Sequence, residues 1–297
     1  MRLTRRTFGL GAAFSLVAGK SIARMAVGSG TLTTVSDGYL VLPADFTLGA
    51  LPEADRSMAR EIAGITGDTV ETPCNLTLYQ DGERTILFDA GSGANFMPSA
   101  GTILDSLEAA GVAPEDVTDV VFTHAHPDHI WGVLDDFDEP LFSEATHHIG
   151  QDEVDYWLNP ATVDEIGEAR ASFAVGARNR LEAISDGLNT FSDGDTVVPG
   201  VVARATYGHT PGHMAFMVSD TALIVGDAIG NGHLALQKPG WASGADQDVE
   251  AGIVTRQALL AELADTGLLM VGFHLPAGGL GRIEAAGDGY RFLEEAS

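Results

Sequence analysis

Three imidazoles and a carboxylate fall within six residues in Thr123-His124-Ala125-His126-Pro127-Asp128-His129. In an extended turn His124 and His126 point to the same side of the chain and can hold one cation. Asp128 and His129 follow where the chain bends, so they can face a second cation nearby. Imidazole nitrogen with hard carboxylate oxygen and no thiolate suits zinc, with manganese, iron and cobalt as alternatives. An isolated histidine is usually an ordinary core or surface residue, but packing alone does not explain four such groups at this spacing. Other chemistries find little support. There is no G-x-S-x-G nucleophile turn, and Gly91-Ser92-Gly93 lacks the third glycine of a nucleotide-binding loop.

The elements around the run can be read from apolar spacing. Residues 117–122 form a short buried strand that leads into it, and a helix starts near its end. Upstream, residues 76–79 and 85–88 alternate around Asp81-Gly82 as a tight β-hairpin. The second of these strands ends in the glycine-rich Asp89-Ala90-Gly91-Ser92-Gly93. A helical pattern then runs through Ile103, Leu104, Leu107 and Ala110 and stops at Gly111. Further helices are predicted over 152–158, 166–184 and 254–264, and strands over 201–206, 215–218, 223–225 and 268–272. Nothing repeats at a solenoid period and no Pro/Ser-rich linker divides the chain, so one α/β domain is expected.

The 297 residues, 45% hydrophobic and 20% charged, suffice for a large folded core. A formal net charge of −26 repels phosphate backbones, which argues against nucleic-acid partners and fits a highly soluble surface. Cys74 is the one cysteine, so no intramolecular disulfide can form; it lies in an alternating, strand-like stretch and reads as a buried core thiol. At the N-terminus, Arg2, Arg5 and Arg6 precede an apolar run over 8–19 that is too short to span a membrane. Thr4-Arg5-Arg6-Thr7-Phe8-Gly9-Leu10 resembles a twin-arginine export signal, and Lys20 and Arg24 suit that pathway. Ser21-Ile22-Ala23 offers a small-x-small cut, so residues 1–23 read as the signal and 24–297 as the mature domain. The mature chain would be four charges more negative, periplasmic or secreted, and without a stable membrane span.

The run at 124–129 resembles the H-x-H-x-D-H signature of the metallo-β-lactamase superfamily at every position. The likeness continues in order through Gly208-His209-Thr210-Pro211-Gly212-His213, then Ile224-Val225-Gly226-Asp227, then His274 after the strand at 268–272. Asp89-Ala90-Gly91 stands where the family has Asp-Thr-Gly. The resemblance covers residues 31–293 and implies an αββα sandwich, two mixed β-sheets flanked by helices. It implies two divalent metal ions, zinc foremost, one held by His124, His126 and His209 and the other by Asp128, His129 and His274, with Asp227 bridging. A metal-bridging hydroxide would attack a carbonyl or phosphoryl centre, with Asp128 and Asp227 as catalytic residues. Asp89 and His213 would support the ligands from behind. His147, His148 and His233 are left as surface or pocket residues.

A closer resemblance is to the methyl parathion hydrolase branch. It rests on Val35-Ser36-Asp37-Gly38, Leu42-Pro43-Ala44-Asp45, Asp155-Tyr156-Trp157-Leu158, His274-Leu275-Pro276, Gly279-Leu280-Gly281 and Gly287-Asp288-Gly289-Tyr290-Arg291-Phe292. The chain departs from the branch at Gly278 and Arg282, expected beside the rim of the site. The likeness offers Phe96, Trp157 and Phe173 as an apolar substrate pocket. A small-molecule substrate follows, with lactones or aryl esters first and organophosphate triesters second; a homodimer is compatible. Three other readings fit the residues less well. An iron-dependent oxidoreductase of the flavodiiron type typically has Glu where His126 stands, a metal-free binding protein conflicts with the complete ligand set, and β-lactam hydrolysis fits the fold less closely than the branch.

Overall fold

The computed structural model describes residues 23–230 and 233–295; the export signal expected over 1–23 lies outside them but for Ala23. The first half of the chain lays down one seven-stranded sheet in chain order. Its strands are β1 (Arg24–Val27), β2 (Gly30–Pro43), β3 (Thr69–Gln80), β4 (Thr85–Phe88), β5 (Asp119–Val121), β6 (Thr146–Gly150) and β7 (Leu188–Phe191). The first four pair antiparallel, and β4 through β7 run parallel. The second half builds another seven-stranded sheet from β8 (Thr196–Val198), β9 (Val201–Ala205), β10 (Met214–Val218), β11 (Ala222–Ile224), β12 (Leu269–Val271), β13 (Leu280–Ala286) and β14 (Gly289–Glu294). Only β11 and β12 pair parallel there.

Helices close both outer faces. α1 (Ala44–Leu48), α2 (Glu53–Ile62), α3 (Ile103–Ala110), α4 (Pro127–Ile130), α5 (Gln151–Leu158), α6 (Thr162–Glu165) and α7 (Ala171–Ala183) belong to the first half. The second half contributes α8 (Leu234–Gln237) and α9 (Val249–Thr266). Between the sheets, Leu32, Tyr79, Phe88 and Val121 meet Phe216, Ile224, Val271 and Leu280. Leu107, Trp157 and Leu181 pack over the far face of the first sheet, and Leu259, Leu260 and Leu263 over that of the second. The expected αββα sandwich of two mixed sheets, a single domain, is what the chain forms. No helix among the described residues is long and apolar enough to cross a membrane.

Local chemistry explains the framework. β4, β5, β11 and β12 are almost wholly buried, as parallel strands covered on both faces must be, and after the polar starts Thr85 and Asp119 they read as apolar runs. The hairpin of β3 and β4 pairs Tyr79 with Ile86 and Gln80 with Thr85, as its alternation predicts. Gly111 ends α3 in the left-handed region at φ 77°. Asp248 caps α9 by accepting the Ala251 N–H, which starts the helix earlier than the expected 254. The expected helix over 166–184 is instead a short 3-10 turn followed by α7, because Gly167 turns the chain at φ 90°. The carboxyl ends of β4, β5, β11 and β12 come together at one edge of the sandwich, beside the β9–β10 turn.

Candidate metal centre

The first ligand run owes its shape to Pro127. His126 is extended, as the residue before proline prefers to be, and Pro127 opens α4 at its first position. His124 and His126 therefore precede the helix, and Asp128 and His129 lie within it. Asp89, at the end of β4, fastens the far side. Its carboxylate accepts the Thr123 N–H at 2.8 Å, and its Oδ2 accepts the His129 Nδ1–H at 2.8 Å. That turns His129 Nε2 toward the cluster, where loss of its proton would leave a lone pair for a cation, the arrangement of a ligating imidazole. Asp89 holds φ 64°, unusual for a non-glycine residue, and the Ala90 N–H bond to the His129 carbonyl at 2.7 Å helps to fix it.

The remaining donors arrive from the second sheet. His209 lies in the β9–β10 turn, Asp227 follows β11 and His274 follows β12. His126 Nδ1 is 2.9 Å from His209 Nε2, and His209 Nε2 is 3.2 Å from Asp227 Oδ2. Asp227 Oδ2 is also 3.3 Å from His274 Nε2, and Asp227 Oδ1 is 3.5 Å from His129 Nε2. Asp128 Oδ2 approaches His274 Nε2 at 3.3 Å and His129 Nε2 at 3.6 Å. All seven side chains are buried. Among them, His124 Nε2, His129 Nε2, His209 Nδ1 and Asp227 Oδ1 are buried without a hydrogen-bond partner among the described residues. Leaving such atoms unsatisfied costs about 1–3 kcal/mol each, and His/Asp donors so gathered fit divalent cations. His124, His126 and His209 form one donor triple within 4.8 Å, and His124, His129 and Asp227 form another.

The charge balance differs across the cluster. Burial, with the neighbouring imidazoles, holds His124 and His126 well below the usual histidine range, so both are neutral with lone pairs free to donate. Burial also opposes charge on His129, but Asp227, Asp89 and Asp128 outweigh it and raise the group to about 10. His274 is likewise held well above its ordinary value, burial being overcome by Asp227 and Asp128. A cation entering this side therefore replaces protons, as metal binding to such donors requires.

Residues 69–266 match the sequence profile of the metallo-beta-lactamase superfamily. The chain belongs to that superfamily. Metallo-beta-lactamase domain-containing protein 1 of Xenopus laevis is 33% identical over 136 residues, 46% of this chain and 52% of that protein, so the chain spans about half the length of this curated relative. Among solved structures, AidC, described as a dizinc quorum-quenching lactonase in complex with a product, superposes with a TM-score of 0.85 at 26% identity, covering 93% of this chain and 98% of its own. The hydrolase AbOPH superposes at 0.84 and 24% identity over the same shares, a likeness of fold.

Behind the ligands of this superfamily member stand supports that differ partly from expectation. His213 accepts the Asp227 backbone N–H on Nε2 at 3.0 Å and bonds Thr206 Oγ1 through Nδ1 at 2.7 Å. It thus steadies Asp227 directly, besides bracing the His209 loop through Thr206. Gly226 is required there: at φ 50°, a Cβ would lie 2.7 Å from His213 Nε2. Three further groups went unrecognised in the sequence. Glu153, fully buried, accepts from the Ala125 and Gly212 N–H groups, Thr210 Oγ1 and Trp157 Nε1, tying both histidine loops to α5. Asp246, buried on the cavity wall, sits 3.6 Å from His209 Nδ1 and 3.1 Å from Arg256 Nη1. Cys74 is the buried core thiol expected, and it also adjoins the cluster. Its sulfur lies beside Asp128 and His274, and burial, opposed by His274, pushes its thiol up to about 12.

A cavity of about 380 Å³ opens on the cluster. His126, Asp128, His209, Asp227 and His274 form its floor, and Leu40, Leu42, Phe46, Met97 and Trp241 are among its walls. Phe96 and Phe173 line it as expected, ring edge to ring face at 6.3 Å. Trp157 does not line it. It is fully buried beneath His126 at 5.8 Å, with its indole N–H on Glu153 at 2.6 Å, because its side of α5 faces the core. Gly278 and Arg282 are also absent from the wall; Arg282 lies on β13 and pairs with Glu295 at 2.7 Å. His147 and His148 are neither surface nor pocket residues. They are buried on β6, His147 stacked on Phe122 and His148 bonded to Asp119 at 3.0 Å. His233 is exposed.

Proposed function

We propose that the protein is a dinuclear metal-dependent hydrolase of lactones or aryl esters. The observation that carries this reading is the cavity, whose apolar walls end directly on the His/Asp cluster. His124, His126 and His209 would hold one ion, Asp128, His129 and His274 the other, and Asp227 would lie between them; this donor set suits zinc. Bound there, such ions supply an activated water and a Lewis acid for the oxygen under attack. The chain's own groups do the rest. Asp128 faces the cavity beside His274, where its carboxylate can take up a proton during attack. Phe96, Phe173 and Phe46 offer a dry surface to an acyl or aryl group and exclude water from it. The strongly negative chain disfavours anionic phosphodiesters.

Within the superfamily we place the chain near the methyl parathion hydrolase branch, on the segments quoted above. Phosphotriester hydrolysis is therefore the second reading, and the aromatic walls suit an aryl leaving group. Zinc-loaded enzyme assayed against lactones, aryl esters, phosphotriesters and β-lactams is expected to favour a lactone or aryl ester by about tenfold or more in kcat/KM. A phosphotriester preference would promote the second reading. Oxygen uptake with bound iron and no hydrolysis would sink both.

Export by the twin-arginine route is proposed on residues 4–10 alone. Changing Arg5 and Arg6 together to Lys should leave precursor inside the cell, because the pathway reads that pair as an address. Normal export of the double variant, followed by cell fractionation, would point to the ordinary secretory route.

A further inference from the structure

One donor at the centre has no part in that reading. Cys74 lies on β3 opposite the irregular Asp37-Gly38 step of β2, where the pairing register shifts between Ser36 and Tyr39. Two residues earlier on the same strand, Thr72 lines the cavity, and side chains two apart share a face. The strand is clamped against the His274 loop on either side of the cysteine. Pro73 accepts the His274 Nδ1–H at 2.8 Å, the Asn75 N–H reaches the Phe273 carbonyl at 2.9 Å, and Asn75 Nδ2 reaches the Leu275 carbonyl at 2.8 Å. Cys74 is thereby held against His274, and its sulfur and one donor atom each of Asp128 and His274 lie within 4.8 Å of one another. Donors bound at about 2.0–2.3 Å to one ion stand at most about 4.6 Å apart, so small side-chain movements bring all three onto a common cation.

A second observation points to the same spot. His129 Nε2 and Asp227 Oδ1 are more than nine-tenths buried and have no hydrogen-bond partner among the described residues. His129 Nε2 faces Asp128 Oδ2 at 3.6 Å, and the other oxygen of Asp227 is 3.3 Å from His274 Nε2. His129 Nε2 and Asp227 Oδ1 face each other at 3.5 Å, so the Asp128 and His274 donors beside Cys74 adjoin further buried donors of the same cluster.

We propose that Cys74 is a metal ligand, its thiolate joining Asp128 and His274 around the second of the two cations; this rests on the two-metal reading above. The S–H bond breaks, the proton leaves to solvent and the sulfur's electron pair goes to the cation, with no change of oxidation state. A thiolate makes that position softer than a His/Asp set alone, so it should select zinc, cobalt or cadmium over magnesium, calcium or manganese.

Cobalt(II) tests this directly. Metal-stripped full-length protein, its thiol shown to be reduced, is loaded with cobalt(II) and its spectrum recorded. A sulfur–cobalt bond adds a near-ultraviolet charge-transfer band to the visible bands of the ion. The chain has a single cysteine, so the wild-type spectrum alone is assignable. We expect that band in the wild type, and its complete loss in Cys74→Ser with the visible bands and the circular dichroism retained. Bound cobalt with visible bands but no near-ultraviolet band in the wild type overturns the role of Cys74 and leaves the two-metal reading standing. A band that persists in Cys74→Ser overturns it as well. Failure of the wild type to bind cobalt overturns both.

Discussion

Asp227→Ala is expected to fold, to lose at least one of two zinc equivalents, and to lose catalytic efficiency by on the order of 10³-fold, about 4 kcal/mol of transition-state stabilisation. The expectation follows from position. Asp227 is within 3.2–3.5 Å of His209, His274 and His129, so it touches both halves of the cluster. Burial works against its ionisation, yet His274, His129 and His209 hold its carboxyl well below the usual carboxylate range, so its negative charge is available to a bound cation. Removing it leaves His129 and His274 facing each other with less compensation, and the same lesion weakens metal retention and turnover. Metal content by mass spectrometry beside steady-state kinetics checks both. A variant that keeps two tightly held ions and full turnover would remove Asp227 from the centre.

The second large effect concerns stability. Trp157→Ala is expected to destabilise the fold by about 3–5 kcal/mol, the usual cost of deleting a large buried aromatic. The indole is fully buried among the residues that α5 and α7 press onto the first sheet. It also supplies one of the four hydrogen bonds that satisfy the buried Glu153 carboxylate. Melting should fall by roughly 5–15 °C at fixed metal concentration. Because the ring lies outside the cavity, efficiency should fall equally on large and small substrates. Phe173→Ala is the contrasting case: its ring lines the cavity, so the loss, about 1–3 kcal/mol, should appear on bulky substrates with little change in melting. A Trp157→Ala protein with unchanged melting and a loss confined to bulky substrates would reverse the assignment of the two residues.

What could be read in advance follows from how local each signal is. The ligand run at 124–129 is contiguous, and β3, β4, α3 and β10 to β12 carry unbroken periodicity or clear stops, so these were legible. β6 was not, because Thr146, His147 and His148 put polar residues into a buried parallel strand. β13 and β14 were hidden by Arg282, Glu284, Arg291 and Glu294, which face outward at the margin of the second sheet. α1 and α8 are short pieces held by mutual contact of Leu48, Leu51 and Leu234; α2 is amphipathic over ten residues, but the one residue it buries fully is the small Ala59. Trp157 was misplaced because a resemblance conveys the residue but not the side of the helix it faces. Asp246 is one of several acidic residues in its segment, and nothing local distinguishes the one that reaches His209. Cys74 reads as core and is core; its place beside Asp128 and His274 was not legible because the clamp from Asn75 to residues 273 and 275 spans about 200 positions.

The two sheets are built from consecutive stretches of chain, one complete at Phe191 and the other beginning at Thr196. No strand crosses over, so a break between those residues leaves both sheets whole. Yet each donor triple draws on both stretches: His124 and His126 need His209, His124 and His129 need Asp227, and Cys74 and Asp128 need His274. Neither fragment carries a complete triple. A cation held by such a triple would report docking between the two fragments and act as a clasp whose free concentration sets how firmly they stay together. During synthesis, the first fragment emerges with Leu32, Ile86, Phe88 and Val121 uncovered on the face awaiting its partner, and the cluster can be completed only once the last of the second fragment's donors, His274, has joined.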